Sequence, residues 1–536
     1  MGGSSIRPSI LKKERSLFMD TSAKKAGKTV ILMVLFTLFA KALGLVRQIL
    51  IAGLFGATTA GIAFSAASKI PFAIFDMLFS TAIVGSFLPI YRSGLLKGKT
   101  HAKQFSSAFL TAVTLITAMT AMLGVLLARP VIALSAPNLD AETAALAAEL
   151  LRIMFPAVVF AGAAYTLIGI LQSHERFLIP AAVSAVSNLV IILYLFFAKS
   201  PDDGAARGLA AAYLLSWTVQ FLTLALPLMK DKLFPPPTRH LKNEELRLSL
   251  SRSLPVMLGS WLIPLGTLTA NFFSTYIDMG GENGTAIVVF ENAFSVYTIA
   301  AGLLTYGVCN YIFPKLSASF AAGDRKGFAQ AIQKSTLASF AITLPIGAAA
   351  FILAENGISL LYERGNFTAE LSHATAMSLR MLALAMPAYG LIELFSRVCY
   401  SAGKVRYPMF AALGGISAGM LSSSLFLLTK SLTVSTVALS CAIGEITAAT
   451  VLCALAVHAF PEILHGLSLR RTIGIATAFA ISTLTMYISR MICEKFWQNA
   501  IPVQNLVIIT IVFLMGLVVY LLCIGIFKAA DFSARE

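Results

Sequence analysis

Charged residues are scarce in this chain. Asp, Glu, Lys and Arg make up only 12% of its 536 residues, whereas a soluble globular domain carries roughly 25%. Hydrophobic residues make up 57%, and the mean hydropathy is +0.82. This composition excludes a soluble protein. Runs of about 20 mainly apolar residues, the length that spans a bilayer as a helix, recur along the whole chain. A β-barrel is disfavoured, because its strands alternate over about 10 residues.

Cysteine is scarce too, and the motifs of common enzymes are missing. The six cysteines form no C-x-x-C pair, so we predict neither a disulfide framework nor a zinc site. No H-E-x-x-H, G-x-S-x-G or Walker loop is present, which argues against an enzyme and against ATP hydrolysis by this chain. We therefore expect no catalytic residue, no metal and no cofactor. Transport would draw on a coupling ion, the membrane potential or product removal.

Basic residues are in excess, with 41 Lys and Arg against 25 Asp and Glu. In a soluble protein this would suggest nucleic acid, but cytoplasmic loops of membrane proteins are rich in Lys and Arg, and we expect no nucleic-acid partner. With fourteen helices and a cytoplasmic N-terminus, most basic loop residues fall on the inside. The outer loops then hold only Arg129, Lys199, Arg207, Arg364, Lys430, Arg490 and Lys495. This asymmetry predicts fourteen spans with both termini cytoplasmic.

The predicted spans divide the chain into an all-α polytopic membrane protein with two lobes. The spans lie near residues 29–54, 63–91, 104–128, 143–171, 178–198, 208–229, 253–277, 285–313, 329–354, 371–400, 407–429, 433–459, 472–492 and 503–527. We predict a basic cytoplasmic N-terminus (1–28), an N-terminal lobe of six helices (29–229), a cytoplasmic linker (230–252), a C-terminal lobe of six helices (253–459), and two extra helices with a short cytoplasmic tail (460–536).

An internal repeat relates the two lobes. Three motifs recur at a distance of 228 residues: Ala141-Glu142 and Ala369-Glu370, Leu151-Arg152 and Leu379-Arg380, and Pro180 and Pro408. An offset of this size spans six helices, which is an even number, so both copies run in the same direction through the membrane. Parallel repeats of this kind hold substrate between the two halves, near the middle of the bilayer.

Ionisable residues inside the predicted spans are the candidates for a substrate site, because each costs roughly 2.5–3.5 kcal/mol on insertion scales. Lys41 and Arg47 lie in the first helix, where Lys41 and Gln48, seven residues apart, share a face, and Lys69 lies in the second helix. We predict that they form a cationic interior surface for an anionic head group. Lys69 and Asp76, seven residues apart, could instead reach water or pair with each other.

Three further acidic residues lie within predicted spans. Glu291 and Glu445 have no cation nearby in the sequence, and either could bind an ion or a proton, or hydrogen-bond to a neighbouring helix. We include Glu291 among the substrate-binding candidates. Glu393 and Arg397 are four residues apart on the tenth predicted helix, where opposite charges neutralise each other. We predict that this pair is a structural ion pair.

Three groups of motifs are specific in their order and spacing. They are Lys41 to Gln48 with Leu54-Phe55-Gly56-Ala57 and Lys69 to Pro89; Leu171 to Phe177 with Pro180 and Asn188; and Tyr362 to Glu370 with Pro387, Phe395-Ser396-Arg397 and Tyr400. In these motifs the chain resembles the lipid II flippase family (MurJ-type) of the multidrug/oligosaccharidyl-lipid/polysaccharide exporter superfamily. The resemblance covers most of the first twelve predicted helices.

The resemblance implies a flippase of the bacterial inner membrane. Such proteins move undecaprenyl-pyrophosphate-linked peptidoglycan precursor (lipid II) from the inner to the outer leaflet by alternating access, through a cationic cavity between two lobes. Two final helices form a groove for the lipid tail. Two cavity arginines of the best-known members fall on Phe75 and Ser295 here, and an acidic residue falls on Ile62. Lys41 replaces a further arginine, and lysine lacks the planar fork that suits phosphate.

Other functions stay open on this sequence. They are a flippase for another polyprenyl-linked glycan, a cation-coupled multidrug exporter, and a non-transporting scaffold of the cell-wall machinery. The expected partners are a lipid-linked oligosaccharide substrate, membrane lipids and cell-wall synthesis or division proteins.

Overall fold

In the computed structural model the chain forms a bundle of α-helices. The structure describes residues 32–33, 35–77, 87–241, 244–249, 261–280, 283–463, 469–497 and 502–527. The basic N-terminus predicted at 1–28, part of the predicted linker and the tail at 528–536 lie outside these ranges. Within them there is no β-strand, and Arg364 and Phe367 form an isolated antiparallel bridge.

The first half of the described chain contains ten helices. In the described part they are α1 (Leu35–Phe55), α2 (Thr59–Phe75), α3 (Leu88–Lys97), α4 (Lys99–Leu126), α5 (Ala128–Ser135), α6 (Ala141–Met154), α7 (Ala157–Ser173), α8 (Leu178–Phe197), α9 (Asp203–Lys230) and α10 (244–249).

The second half is helical as well. Its described helices are α11 (Leu262–Ser274), α12 (Thr285–Ala321), α13 (Arg325–Ile352), α14 (Ala354–Tyr362), α15 (Ala369–Ala383), α16 (Met386–Ser401), α17 (Arg406–Leu428), α18 (Val434–Ala459), α19 (Leu469–Phe496) and α20 (Pro502–Ile526). A 3₁₀ turn at Pro461–Ile463 follows α18.

The chain is an all-helical polytopic membrane protein. Eleven helical stretches in the described residues are long and apolar enough to cross a membrane, and twelve if α15 and α16, bent by 47° at their junction, count as one span. The predicted spans at 63–91 and 253–277 overlap α2 and α11. These have 17 and 13 residues, and each is close to residues outside the described part. The total of fourteen stays a prediction.

One succession of six helices occurs twice. Helices α4 to α9 have 28, 8, 14, 17, 20 and 28 residues, and α13 to α18 have 28, 9, 15, 16, 23 and 26. The short helices α5 and α14 were not among the predicted elements, because eight or nine residues beside a long apolar run give no separate periodic signal. In both copies the helix after the short one has a side-chain N-cap. The side chain of Asp140 accepts a hydrogen bond from the N–H of Thr143 at the start of α6, and that of Thr368 accepts one from the N–H of Leu371 at the start of α15.

Each lobe has its own hydrophobic core, and the two lobes contact each other at one end. One core is formed almost entirely by α2 to α9. A second core is formed by helices of the second half, and Ala52 of α1 and Ile62 of α2 belong to it. The first two helices therefore contact the second lobe where α1 ends. Helices α19 and α20 pair with each other and pack on α13 and α14 through a small separate core that contains Ile352, Met486 and Val512.

Candidate functional site

A cavity of about 610 Å³ lies between the two lobes. Helices α1, α2, α8 and α9 form its wall in the first lobe, with Tyr165 of α7, and α11 and α12 form the wall in the second. The structure brings all five predicted substrate-binding residues to this cavity: Lys41, Arg47, Gln48, Lys69 and Glu291. Helical spacing explains why Lys41 and Gln48 arrive together, since positions seven apart return to the same face.

Arg47 is oriented by an asparagine from another helix. Its Nη1 donates to Oδ1 of Asn188 on α8 at 2.9 Å, and Nδ2 of Asn188 donates to the carbonyl of Ala40 at 3.1 Å. Gly44 lies directly against this asparagine amide. Within the described residues Arg47 has no carboxylate within 4 Å. Its guanidinium is therefore held in place while most of its donors stay available to a ligand.

One polar contact joins the two lobes, and another lies within the wall that the second lobe forms. Nε2 of Gln48 donates to Oδ1 of Asn292 on α12 at 3.4 Å. Beside it, Oε1 of Glu291 accepts from Nδ2 of Asn271 at 3.2 Å. Lys69 faces the same cavity and has no ion-pair partner within 4 Å in the described part of the chain.

The charges of the cavity are unevenly divided between the lobes. The first lobe supplies the cations Lys41, Arg47 and Lys69 and the carboxylate of Asp76, and the second lobe supplies Glu291. Both residues of the pair Lys69 and Asp76 line the cavity, so their charges act on its contents. Three cations and two carboxylates leave a net positive charge in a partly enclosed space, where fields are stronger than in water.

A polar and aromatic stripe on α9 completes the first-lobe wall and was missed at the sequence level. Tyr213, Ser216, Trp217 and Gln220 all line the cavity, at the i, i+3, i+4 and i+7 positions of one helix face. The ring of Trp217 lies 4.6 Å from that of Phe72 on α2. The repeated spacing of polar and aromatic residues in an otherwise apolar helix was the signal that could have identified this face.

Positions 75 and 295, where the family resemblance implied a cavity arginine, have different surroundings in the structure. Ser295 lines the cavity. Phe75 is fully buried and packs edge-on against Phe72 and Tyr165, with ring centroids 6.0 and 5.1 Å apart. The aromatic ring at position 75 therefore belongs to the core of the first lobe.

The remaining charged candidates do not line the cavity. Glu445 is buried, and its carboxylate accepts a hydrogen bond from the hydroxyl of Tyr297 on α12, so the neighbouring-helix contact is the one observed. On α16, Nη1 of Arg397 donates to the Glu393 carboxylate and, at 2.8 Å, to the Glu393 carbonyl. The ion pair is thus present, and its structural role stays a prediction.

Comparison with known proteins connects this architecture to transporters. The inward closed conformation of a lipid II flippase MurJ superposes with a TM-score of 0.76 at 22% identity, covering 93% of this chain and 99% of that one. The inward-facing conformation of a MATE-family multidrug resistance transporter of the MOP superfamily gives a TM-score of 0.62 at 16% identity, covering 82% and 99%. The fold is therefore the one that these two membrane transporters share.

The sequence comparison identifies the family within this class. The profile described as "Lipid II flippase MurJ" matches residues 51–511. A probable lipid II flippase MurJ of Bdellovibrio bacteriovorus is 26% identical over 396 residues, which are 73% of this chain and 74% of the relative. The corresponding protein of Thermotoga maritima is 27% identical over 379 residues, 70% and 74%. The chain belongs to the lipid II flippase MurJ family, which is a family of transporters and not of enzymes.

Proposed function

We propose that this protein moves undecaprenyl-pyrophosphate-linked peptidoglycan precursor from the inner to the outer leaflet of the bacterial cytoplasmic membrane by alternating access. Both termini and the linker at 230–252 lie in the cytoplasm. The observation that carries the proposal is the cationic cavity between the lobes of a chain from this family. Lys41, Arg47 and Lys69 converge there from two helices.

The pyrophosphate binds to the first-lobe wall. Arg47, oriented by Asn188, donates charge-assisted hydrogen bonds to phosphate oxygens, which are about twice as strong as neutral ones. Lys41 and Lys69 supply compact charge without the planar fork of arginine. The saccharide and peptide lie against the polar side chains of α8 and α9, including Ser184, Ser187 and Gln220.

The charge of the cavity argues against export of cationic drugs. Such an exporter needs a cavity that attracts a cation, whereas here three cations outnumber the two carboxylates, Asp76 and Glu291. A positive cavity concentrates anions and repels cations. Lipid-linked phosphates fit this charge better than drugs do.

Flipping assays in reconstituted vesicles with defined substrates test the proposal. We expect flipping of lipid II, slower flipping of polyprenyl-pyrophosphates with other glycans, and no export of cationic dyes. Preference for another glycan would replace the substrate but keep the transport mechanism. If no lipid-linked substrate is flipped, while the same gene still rescues growth of a depletion strain, the scaffold function would be supported instead.

A further inference from the structure

Lys69 of the first lobe and Glu291 of the second lie at similar positions on facing walls of the cavity. Ile62, near the start of α2, lies against Gly284, which directly precedes α12. Lys69 follows Ile62 by seven residues, and Glu291 follows Gly284 by seven residues, which is roughly 10 Å along each helix. Both side chains line the cavity. A cation and a carboxylate from different lobes therefore lie at a similar distance from the same helix contact.

The surroundings of Glu291 are suited to an ammonium group. Its Oε1 accepts a hydrogen bond from Nδ2 of Asn271 at 3.2 Å. The Oδ1 of the same asparagine is buried and has no hydrogen-bond donor among the described residues. A lysine ammonium has three donors and no acceptor. The second wall thus offers a carboxylate and a neighbouring amide oxygen, both of which accept from such a group.

Lys69 is the cation that acts on this carboxylate. Its positive charge attracts Glu291 across the cavity, although the described residues contain no ion-pair partner within 4 Å of Lys69. The ammonium is a compact charge on a flexible four-carbon stem. It can therefore bind a phosphate on the first wall or move toward Glu291 on the second.

The empty protein needs a counter-charge that the loaded protein does not need. Alternating access includes a step in which the protein closes around an empty cavity and returns. Lys41, Arg47 and Lys69 then remain on the first wall, and cations enclosed without a partner are costly. Asp76 is on the same wall, so its attraction depends little on the distance between the lobes. A carboxylate on the facing wall offsets a cation most strongly when the lobes come together.

We propose that Glu291 is an internal counter-ion for Lys69, which holds the ammonium while the empty protein returns and gives it up when a substrate phosphate binds. Glu291 acts through Lys69 and is a positioning residue in this cycle. The proposal rests on the transport function above, but not on which glycan the lipid carries.

Two transport modes in reconstituted vesicles test this role. Net flipping of lipid II from one leaflet requires the empty return, whereas exchange of a labelled tracer with excess unlabelled lipid in both leaflets allows a loaded return. Glu291→Gln removes the charge but keeps an acceptor for Asn271. We expect net flipping to fall roughly tenfold while tracer exchange is nearly maintained, with half-maximal exchange at a several-fold lower lipid concentration. Glu291→Asp should restore most of the net flipping. An equal loss in both modes would overturn the proposal.

Asp76→Asn is the matched control, because it removes a carboxylate from the same cavity but from the first lobe. We expect this substitution to change net flipping and exchange by the same factor. If Asp76→Asn affects the two modes as differently as Glu291→Gln does, the net charge of the cavity is responsible, and a counter-ion across the lobes is excluded.

A further measurement needs no lipid substrate, so it separates this role from the choice of lipid. Gln48→Cys and Asn292→Cys, whose native side chains meet across the lobes at 3.4 Å, are joined by a short bis-thiosulfonate in a variant without native cysteines. Adding Glu291→Gln should slow this cross-linking several-fold in the empty protein. Inorganic pyrophosphate should slow it when Glu291 is present and have little effect on Glu291→Gln.

Cross-linking at the same rate with and without Glu291→Gln would contradict the counter-ion, whichever lipid is carried. Lys69→Gln removes the other charge and should slow cross-linking as well. It decides the question if Glu291→Gln fails to fold, as shown by its elution in detergent. If the unaltered protein flips no lipid-linked substrate, the transport function is wrong, but the cross-linking rates still show whether Glu291 and Lys69 draw the lobes together.

Discussion

Arg47 is a charged side chain that is enclosed by the protein and still available to a ligand. It lines the cavity and makes one hydrogen bond, to Asn188, without a carboxylate partner in the described residues. A cation inside a membrane protein without a counter-ion is costly. The pyrophosphate of the substrate that we propose would supply the missing negative charge.

Replacement of Arg47 by alanine should therefore abolish most transport without affecting membrane insertion. Loss of a charge-assisted hydrogen bond of about 1.5–3 kcal/mol corresponds to a roughly 10- to 100-fold decrease in head-group affinity. Lys41→Arg should be tolerated, because the charge is kept. Flipping and expression level are measured together, with Arg129→Ala as the control, since Arg129 is exposed and outside the cavity. Normal complementation by Arg47→Ala would remove this residue from the site.

The neighbouring Asn188 allows a test of charge rather than of shape. Asn188→Asp places a carboxylate against the guanidinium at nearly the same volume, so Arg47 should pair with it and lose its attraction for phosphate. We expect Asn188→Asp to impair flipping nearly as much as Arg47→Ala does, and Asn188→Ala to impair it less. Equal activity of the Asp and Ala variants would show that Arg47 does not act through its free charge.

The Glu393–Arg397 pair should behave as a structural element. Neither residue lines the cavity, and the pair lies within one helix with side chains 32% and 20% exposed. Each single alanine substitution should lower protein yield, and the double substitution should recover part of the loss, by about 1 kcal/mol of coupling. If yield is unchanged but transport falls, the pair belongs to the substrate path.

At the scale of elements, the hairpin of α19 and α20 is joined to the second lobe by a polar cluster around Glu355 of α14. The Glu355 carboxylate contacts Arg490 of α19 at 2.7 Å, Arg380 of α15 at 3.0 Å and His373 of α15 at 3.2 Å. A further hydrogen bond joins Asn356 and Asn505 at 2.9 Å. The hairpin is therefore attached through specific contacts at one end.

Electrostatics makes this attachment depend on pH. Burial of Glu355 acts to raise the pKa of its carboxyl, but the hydrogen bond from Arg490 and the charges of Arg380, Arg490 and His373 outweigh it and hold the pKa below its ordinary value. The stabilisation is therefore complete above the ordinary glutamate pKa of about 4.3 and is lost as pH falls through the lowered value.

Glu355→Gln should loosen the hairpin. The substitution leaves two arginines without their shared counter-charge, which should cost about 1–3 kcal/mol and lower the thermal transition measured in detergent. If the hairpin guides the polyprenyl tail, as we propose by resemblance to the family, flipping of long-tailed lipid should fall more than flipping of a short-tailed analogue. Glu142→Gln is the control, because Glu142 is exposed on the first lobe. An equal loss for both lipids would argue against a tail groove.

At the scale of the whole molecule, the proposed topology predicts which loops a reagent can reach. His240 in the linker and Lys199 between α8 and α9 are both exposed, but the charge asymmetry places the first inside and the second outside. An impermeant thiol reagent should label Lys199→Cys in spheroplasts and label His240→Cys only after lysis. Labelling of His240→Cys in intact spheroplasts would exclude a fourteen-span arrangement with both termini inside.

Much of the architecture follows from the sequence alone. A helix in lipid satisfies its own backbone hydrogen bonds and must be apolar over its length, so composition and apolar runs determined the class of protein and most of the spans. Helical periodicity was enough to place Lys41 and Gln48 on one face. The repeat was visible because equivalent helix starts carry identical residues, such as Ala141-Glu142 and Ala369-Glu370.

Only the tertiary structure decided which of these faces meet. The bond from Arg47 to Asn188 joins residues 141 positions apart, and that from Asn366 to Leu54 joins residues 312 apart. Neither has a local signature, because each depends on how separate helices and lobes pack together. The same holds for Phe75, which packing places in the core rather than in the cavity. Periodicity determines the face on which a side chain lies, but packing between elements determines what that face contacts.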